Sequence, residues 1–160
     1  MNTKDVSTQC VLVMLADGFN EIETIVLLSV LRRMGICVKS VGVIGGTINS
    51  AHGILIKPDF SLTALERIID IVTVPMIILP GSERNLSALE ADPRVHQLIH
   101  QVIEQGGVLA VCPQGLDMAR TAVAQVLGRE NNDIVMVYRP PEQAAEEFAQ
   151  DIGRRLEHSM

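Results

Sequence analysis

Short apolar runs alternate with longer amphipathic stretches along most of this 160-residue chain. The runs are rich in Val, Ile and Leu, which is typical of strands that are buried on both faces. They lie at residues 10–16, 36–43, 76–80, 108–112 and 133–138. Periodicity and helix-end signals predict helices over about 20–34, 61–70, 92–105, 114–127 and 141–157. Because strands and helices alternate almost throughout, the pattern predicts an α/β fold with a mainly parallel sheet covered by helices on both faces.

Two local patterns refine this outline. Residues 47–58 contain turn residues between two short apolar segments, which predicts a small β-hairpin. Asn20 precedes a helix whose first turn carries Glu21 and Glu23, where the helix dipole favours negative charge. Gly35 is expected to end this helix. Its buried side is expected to consist of Ile22, Ile25, Val26, Leu28 and Leu31.

Length, charge and composition narrow the class of protein. We expect one domain over residues 10–157, after a polar tail at residues 1–9 that carries no secretory signal. No apolar stretch reaches the ~20 residues of a membrane span. No Lys/Arg cluster accompanies the net charge of −6, so neither a membrane nor nucleic acid is predicted as a partner. Apolar residues make up 48% of the chain and aromatic residues 2%, so the core is expected to be aliphatic.

The cysteines and histidines give no metal signature. Cys10, Cys37 and Cys112 are odd in number and far apart, so they predict neither a disulfide framework nor a metal site. Cys10 and Cys37 are interpreted as core thiols, and a reducing cytoplasm is the expected location. His96 and His100 lie four residues apart on a predicted helix but have no third ligand nearby, so no metal is predicted.

Three predicted strands end in segments with potential chemistry. These segments are A-D-G-F-N-E-I-E at 16–23, P-G-S at 80–82 and C-P-Q-G at 112–115. In open parallel sheets, sites gather at the carboxyl ends of the strands. Cys112 stands where a strand turns into a helix, as in a nucleophile elbow, and the helix N-terminus would favour its thiolate. The alternative is that Cys112 is a small hydrophobic residue at the end of a buried strand.

Four segments together resemble the DJ-1/PfpI family, whose flavodoxin-like sheet is shared with class I glutamine amidotransferases. They are V-L-V-M-L-A-D-G-F-N-E-I-E-T at 11–24, K-P-D-F-S-L at 57–62, I-I-L-P-G-S at 77–82 and V-L-A-V-C at 108–112. Each is weak alone, but their order and spacing are specific. The resemblance implies a flavodoxin-like three-layer α/β/α sandwich, with a mainly parallel sheet and a small β-hairpin.

The family resemblance also implies roles for individual residues. The family pairs its elbow cysteine with an acid of the first helix, which corresponds to Glu23 here, whereas Glu21 is interpreted as a first-turn charge. A protonated Glu23 would donate a hydrogen bond to the Cys112 thiolate. This predicts a thiol pKa below the usual ~8.5 that rises in Glu23→Gln. Backbone N–H groups around Gly81 and Ser82 are expected to bind an anion.

The chain departs from the family pattern in two ways. Pro113 follows the cysteine and has no N–H, so one of two oxyanion donors is absent, although proline also starts a helix well. The chain has no histidine between Cys112 and His158, so a Cys–His pair is not predicted. His52, in the hairpin, is either a surface residue or one that reaches a site across a dimer interface. The segment between the helix after Cys112 and the last predicted strand is also shorter than in the family, so the rim of the site is expected to be shortened. This predicts a site too open to exclude water from a peptide bond.

Three functions follow from these residues. The first is a weak or degenerate cysteine hydrolase or glyoxalase-like enzyme acting on a small electrophile. The second is a thiol protein that senses oxidants or electrophiles under oxidative stress, with Cys112 oxidised to a sulfinate that Glu23 stabilises. The third is a non-catalytic scaffold, and the resemblance implies a homodimer in each case. No cofactor is predicted, because the D-G-F-N and P-G-S turns lack the glycine spacing that binds phosphate.

Overall fold

Helices cover both faces of a central parallel sheet. The computed structural model describes residues 8–137 and 145–158. The strands are β1 (Thr8–Gln9), β2 (Val11–Leu15), β3 (Val38–Gly42), β4 (Ile48–Asn49), β5 (Leu55–Ile56), β6 (Phe60–Ser61), β7 (Val72–Thr73), β8 (Met76–Leu79), β9 (Val108–Val111) and β10 (Val135–Val137). The α-helices are α1 (Glu21–Arg33), α2 (Leu62–Glu66), α3 (Glu83–Ala91), α4 (Pro93–Glu104), α5 (Leu116–Leu127) and α6 (Ala145–His158).

Within the part of the chain that the structure describes, the central sheet has six strands in the order β10-β9-β8-β2-β3-β6. Every neighbouring pair in it is parallel. β4 and β5 form the predicted antiparallel hairpin. The predicted α/β architecture with a mainly parallel sheet and a small hairpin is therefore confirmed. Residues 1–7 of the predicted tail, Tyr138 of the last predicted strand and residues 141–144 of the last predicted helix lie outside the described residues.

The core lies in two layers, one on each face of the sheet, as the alternation of side chains along β2 illustrates. Leu12 and Met14 pack with residues of α2, α3, α4 and α5. Val13 and Leu15 point the other way and pack with residues of α1 and α6. Because successive side chains of a strand point to opposite faces, an apolar run such as β2 fills both layers. The result is the three-layer sandwich that the resemblance implied.

Several predicted helix ends are confirmed. The side chain of Asn20 caps α1 by accepting a hydrogen bond of 3.2 Å from the backbone N–H of Glu23. Asp92 caps α4, and Pro93 is the first helical residue. These ends follow from short-range chemistry, since a cap needs only one side chain and a nearby free N–H.

The predicted buried side of α1 is wrong at two positions. Ile22 is 71% exposed and Ile25 is 48% exposed. The buried residues of α1 are Glu21, Thr24, Leu27, Val30 and Leu31. The helix carries apolar residues on two sides, and the sheet and α6 cover the side of Leu27 and Leu31. The other side is left facing solvent.

The sequence prediction misses several short elements, among them α3 and β1. Residues 83–91 form α3, which ends at Asp92, the same residue that caps α4. Thr8 and Gln9, assigned to the polar tail, form β1 and pair in parallel with Val72 and Thr73 of β7. Both elements are short, so neither contains enough turns or alternations to produce a clear pattern.

The interpretation of Cys10 and Cys37 as core thiols is also wrong. The two residues form a disulfide, with a Cα–Cα distance of 4.7 Å. Cys10 directly precedes β2 and Cys37 directly precedes β3, and the pairing of Val11 with Val38 brings the starts of these strands together. The register of two parallel strands therefore places cysteines that are 27 residues apart within bonding distance.

Candidate functional site

The three chemically notable segments meet at one end of the sheet, as predicted. β2, β8 and β9 are neighbours, and each ends at this edge, with Leu79 of β8 paired to Val111 of β9. A hydrogen bond joins the loops that follow β2 and β8: the backbone N–H of Asn20 donates to the carbonyl of Gly81 at 2.9 Å. This bond ties the start of α1 to the loop after β8, so Glu23 is held beside that loop.

Glu23 and Cys112 meet at Gly81. A Cβ atom added to Gly81 would lie 3.2 Å from Glu23 Oε2 and 3.8 Å from Cys112 Sγ. The backbone N–H of Gly81 donates a hydrogen bond of 3.2 Å to the same Glu23 oxygen. The acid and the thiol selected from the sequence therefore both border Gly81, where a Cβ would crowd Glu23 Oε2 and make ordinary contact with Cys112 Sγ.

The Glu23 carboxyl is partly withdrawn from water. Burial raises its pKa, and the hydrogen bond from the Gly81 N–H opposes that rise by stabilising the carboxylate. Because burial is the larger effect, Glu23 holds its proton to a higher pH than an ordinary glutamate. Such a group can act as a proton donor to a neighbouring sulfur or oxygen atom.

The prediction of an acidic thiol at position 112 is not met. Cys112 is only 4% exposed, and burial raises the pKa of its thiol. The carboxylate of Glu23 adds to the rise, whereas backbone N–H groups of Gly115 and Gln114 oppose it. The thiol is therefore mostly protonated at neutral pH. The reason is that loss of water around the sulfur outweighs the nearby backbone donors.

The backbone at Cys112 is extended rather than strained. Its φ of −72° and ψ of 165° are the values that a following proline favours. Pro113–Gly115 form a short 3-10 turn, so α5 begins only at Leu116. Glycine is the only residue type with positive φ over residues 8–137 and 145–158. Cys112 therefore has an ordinary extended backbone, and a 3-10 turn separates it from the first residue of α5.

The space at this site is small. A cavity of about 10 Å³ is lined by Glu23, Cys112 and Phe148. Such a volume holds about one water-sized molecule. Phe148 and Ala145 belong to α6, which covers part of the site. The expectation of a site too open to exclude water from a peptide bond stays a prediction.

Of the two predicted backbone anion donors, the Gly81 N–H already has a partner, and the Ser82 hydroxyl is engaged as well. The Gly81 N–H is engaged by Glu23. Ser82 caps α3: its hydroxyl accepts from the backbone N–H of Asn85 at 3.4 Å and donates to the carbonyl of Gly18. Together with the missing N–H of Pro113, these contacts leave no preformed oxyanion hole built from Gly81 and residue 113. Catalytic roles for Gly81 and Ser82 stay predictions.

Asn85 supports the site and was not selected from the sequence. It is fully buried, and its Oδ1 accepts a hydrogen bond of 2.7 Å from the backbone N–H of Ala16. Its Nδ2 donates to the carbonyl of Pro80 at 3.0 Å. Asn85 thus joins the ends of β2 and β8. The only signal in the sequence was its place three residues after Ser82, in the first turn of a helix that was missed.

His52 contacts Glu21 rather than the thiol of its own chain. The His52 side chain is 83% exposed, and its Nδ1 lies 2.7 Å from Glu21 Oε1. Glu21 is a first-turn charge of α1, as interpreted, but it is buried rather than facing solvent. Its own backbone N–H and the contact with His52 lower the pKa of this carboxyl. The pair fixes the hairpin turn against the start of α1.

The remaining histidines are engaged singly. His96 Nε2 lies 2.6 Å from the carbonyl oxygen of Glu90, and His100 Nε2 lies 3.1 Å from Gln125 Oε1. Over the described ranges 8–137 and 145–158, no three His, Cys, Asp or Glu residues are grouped as metal ligands. In the same ranges no helix has the length and apolar character needed to cross a membrane.

Comparison with known proteins agrees with the fold and the strand ends. Among curated proteins, dj-1beta of Drosophila melanogaster is 31% identical over 115 residues, which are 71% of this chain and 59% of that protein. Its crystal structure is 25% identical, with a TM-score of 0.76, and the match covers 93% of this chain and 90% of that one. Oxidised Toxoplasma gondii DJ-1 is 20% identical, with a TM-score of 0.73 over 92% of this chain and 90% of that one. The DJ-1/PfpI family model matches residues 9–129, and the chain therefore belongs to the DJ-1/PfpI family.

Proposed function

We propose that this chain is a non-hydrolytic thiol protein in which small peroxides oxidise Cys112 beside Glu23. The observation that carries the proposal is the size of the cavity at the thiol, about 10 Å³. That space holds about one water-sized molecule, so hydrogen peroxide, with two heavy atoms, comes nearest to fitting among the candidate reactants, and a peptide or sugar derivative does not fit. Oxidation needs a thiolate and a proton donor, but no oxyanion hole, because no tetrahedral intermediate forms.

The chemistry uses the two groups that meet at Gly81. The Cys112 thiolate attacks one peroxide oxygen, the O–O bond breaks, and the leaving hydroxide takes the Glu23 proton to become water. A second peroxide converts the sulfenic acid to a sulfinic acid and releases another water. Reprotonated Glu23 then donates a hydrogen bond to the sulfinate. Because burial raises the thiol pKa, the reaction is slow at neutral pH and accelerates as the pH rises.

A weak hydrolase or glyoxalase-like activity on a small electrophile is the second candidate. It is favoured by the position of Glu23, which can shuttle a proton next to the thiol. It is disfavoured by the anion donors, since Gly81 is engaged and Pro113 lacks an N–H. Loss of one oxyanion donor typically reduces the rate by roughly 10²–10³.

A homodimer is the assembly that we propose, with or without chemistry at Cys112. Ile22 and Ile25 of α1 are exposed, as are Ile54 and Leu55 of the hairpin. The contact between His52 and Glu21 holds these two segments next to each other. Exposed apolar residues grouped in this way are typical of protein–protein interfaces. Sedimentation of Ile22→Glu should show a shift to monomer, and an unchanged species would contradict this interface.

The test of the proposed function is to follow oxidation of Cys112 by mass spectrometry. Hydrogen peroxide should add two oxygen atoms at Cys112, faster at about pH 9 than at about pH 7, because the thiolate fraction grows with pH. At pH values chosen to give equal thiolate fractions, Glu23→Gln should accumulate less sulfinate than Glu21→Gln, because it lacks the proton donor beside the thiol. Glu21, whose carboxyl contacts His52, provides a matched control in the same helical turn.

Two results would contradict this proposal. If Cys112 takes up no oxygen under conditions that oxidise an exposed thiol, the scaffold function replaces it. If methylglyoxal is consumed by the wild type and not by Cys112→Ser, the weak hydrolase or glyoxalase-like activity replaces the proposed oxidation. A cytoplasmic location stays a prediction. Because disulfides are rare in that compartment, a cytoplasmic chain would be expected to cycle between oxidised and reduced Cys10 and Cys37.

A further inference from the structure

The Cys10–Cys37 disulfide lies at the amino ends of β2 and β3, at the opposite end of the sheet from Cys112. It joins two neighbouring parallel strands at their first residues, Val11 and Val38. The two cysteines differ in accessibility: Cys10 is 6% exposed, whereas Cys37 is partly exposed. A reagent that reaches this disulfide from solvent therefore meets Cys37 first.

A cavity of about 340 Å³ lies next to the disulfide. Cys37 lines it and Cys10 does not. Most of its wall is apolar, from Val11, Ile36, Pro75 and Leu156, and its charged group is the exposed Glu157. Volumes of about 300 Å³ and above are typical of small-molecule sites. The cavity therefore gives a compact, uncharged molecule a route to Cys37.

We infer that the Cys10–Cys37 disulfide is a reversible redox site, reduced through this cavity by a small neutral dithiol. A thiolate of the dithiol attacks Cys37 Sγ, the Cys10–Cys37 bond breaks, and Cys10 leaves as a thiolate that takes up a proton. The second thiol of the reductant then attacks the mixed disulfide and releases Cys37. The protein gains two thiols, and the dithiol is oxidised to a cyclic disulfide.

The direction of attack follows from access and from charge. Thiol–disulfide exchange depends on which sulfur the nucleophile can reach, and only Cys37 borders the cavity. The carboxylate of Glu157 repels an incoming thiol that also carries a carboxylate. A neutral thiol is therefore expected to react faster than an anionic one of the same size.

The first experiment uses the wild-type protein and needs no substitution. Oxidised protein is treated with 2-mercaptoethanol or with 3-mercaptopropionate at equal thiolate concentration, and free thiols are alkylated and counted by mass spectrometry. We expect the neutral thiol to open the disulfide several-fold faster, and Glu157→Gln to reduce that difference. Equal rates with both reagents would overturn the role of the cavity.

A second experiment identifies the attacked sulfur. In a Cys112→Ala background, Cys10→Ser leaves Cys37 as the lone thiol, and Cys37→Ser leaves Cys10. Reaction with an aromatic disulfide should be about tenfold faster at Cys37, because Cys10 is buried. A faster reaction at Cys10 would overturn the proposed direction of attack.

A third experiment fills the cavity. Leu156→Trp should slow reduction by dithiothreitol, whereas Leu127→Trp, a control at an exposed leucine at the end of α5, should not. Equal slowing in both variants would contradict the route through the cavity. Circular dichroism of each variant reports whether the fold is kept, and the wild-type reagent comparison decides the question if Leu156→Trp does not fold.

Discussion

The two ends of the central sheet differ in a way that the strand motifs do not reveal. The carboxyl end holds Cys112 and Glu23, but its cavity measures only about 10 Å³. The amino end holds the Cys10–Cys37 disulfide next to a cavity of about 340 Å³. Chemical groups gather at the first end because loops from three strands converge there, whereas room for a molecule lies at the second. In this fold, therefore, the end of the sheet where reactive side chains meet is not the end where a small molecule has room to bind.

The largest effect is expected from a substitution that enlarges the small cavity at the carboxyl end of the sheet. Phe148 of α6 is 4% exposed and packs in the core layer that α1 and α6 form against the sheet. Phe148→Ala should lower the free energy of unfolding by about 3–5 kcal/mol, as is usual for a buried phenylalanine. It should also speed alkylation of Cys112 by iodoacetamide, because Phe148 lines the cavity at the thiol.

Phe148→Leu is the matched control for that substitution. It keeps most of the apolar volume, so its stability loss and its effect on the alkylation rate should both be much smaller. If Phe148→Ala remains folded and Cys112 is no more reactive, α6 does not control access to the thiol.

The second prediction concerns the amino end. Reducing the Cys10–Cys37 disulfide should lower the free energy of unfolding by about 3 kcal/mol, since it closes a loop of moderate length. This corresponds to a fall in Tm on the order of 10 °C. Calorimetry with and without reductant measures it, and Cys10→Ala/Cys37→Ala should show no effect of reductant. A wild-type Tm that does not respond to complete reduction would contradict the prediction.

The third prediction tests the meeting point of acid and thiol. Gly81→Ala places a Cβ 3.2 Å from Glu23 Oε2, so it should displace that carboxyl and cost about 1–2 kcal/mol of stability. Gly45→Ala is the control, because a Cβ there has no neighbour within 4 Å. Urea unfolding compares the two. If both variants are equally stable, the space around Gly81 is larger than the contact distances indicate.

The fourth prediction is the pH response of the thiol. The Glu23 carboxylate raises the pKa of Cys112 by repulsion, so Glu23→Gln should lower that pKa. This is opposite to the sequence expectation, in which a protonated Glu23 would stabilise the thiolate. The alkylation rate as a function of pH measures the shift, with Glu21→Gln as control. A pKa that rises in Glu23→Gln would restore the original expectation.

The smallest predicted effect is the pH dependence of stability that Glu23 confers. Burial raises its pKa in the folded state above its ordinary value of 4.5. The contribution of Glu23 to stability is therefore full below that pH and is lost as the pH rises through the folded pKa. Urea unfolding at about pH 4 and pH 7 should show that this loss is absent in Glu23→Gln.

Local chemistry explains what the sequence predicts well. The caps at Asn20 and Asp92 and the apolar run of β2 each depend on a few adjacent residues. The meeting of Glu23 with Cys112 was predictable once the strand ends matched a known family. α3 was missed because S-E-R-N-L-S-A-L-E-A has few apolar positions and shares its boundary residue with α4.

The rest depends on register and burial, which no local pattern encodes. The disulfide forms because Val11 pairs with Val38, and the sequences of the two strands do not by themselves specify this register. The raised pKa of Cys112 follows from burial, and one residue that lines the small cavity at its thiol is Phe148, which lies 36 residues further along the chain. The orientation of α1 likewise depends on α6, so the exposure of Ile22 could not be predicted.

The final helix contacts both ends of the sheet. α6 has 14 residues and so spans about 21 Å. Phe148 near its start covers the thiol, and Leu156 near its end lines the larger cavity. Between them, Gly153 packs against the end of the Met34 side chain, which would have to shift to admit a Cβ at position 153. Because one helix borders both cavities, tilting α6 to widen either opening is expected to alter the opposite opening as well.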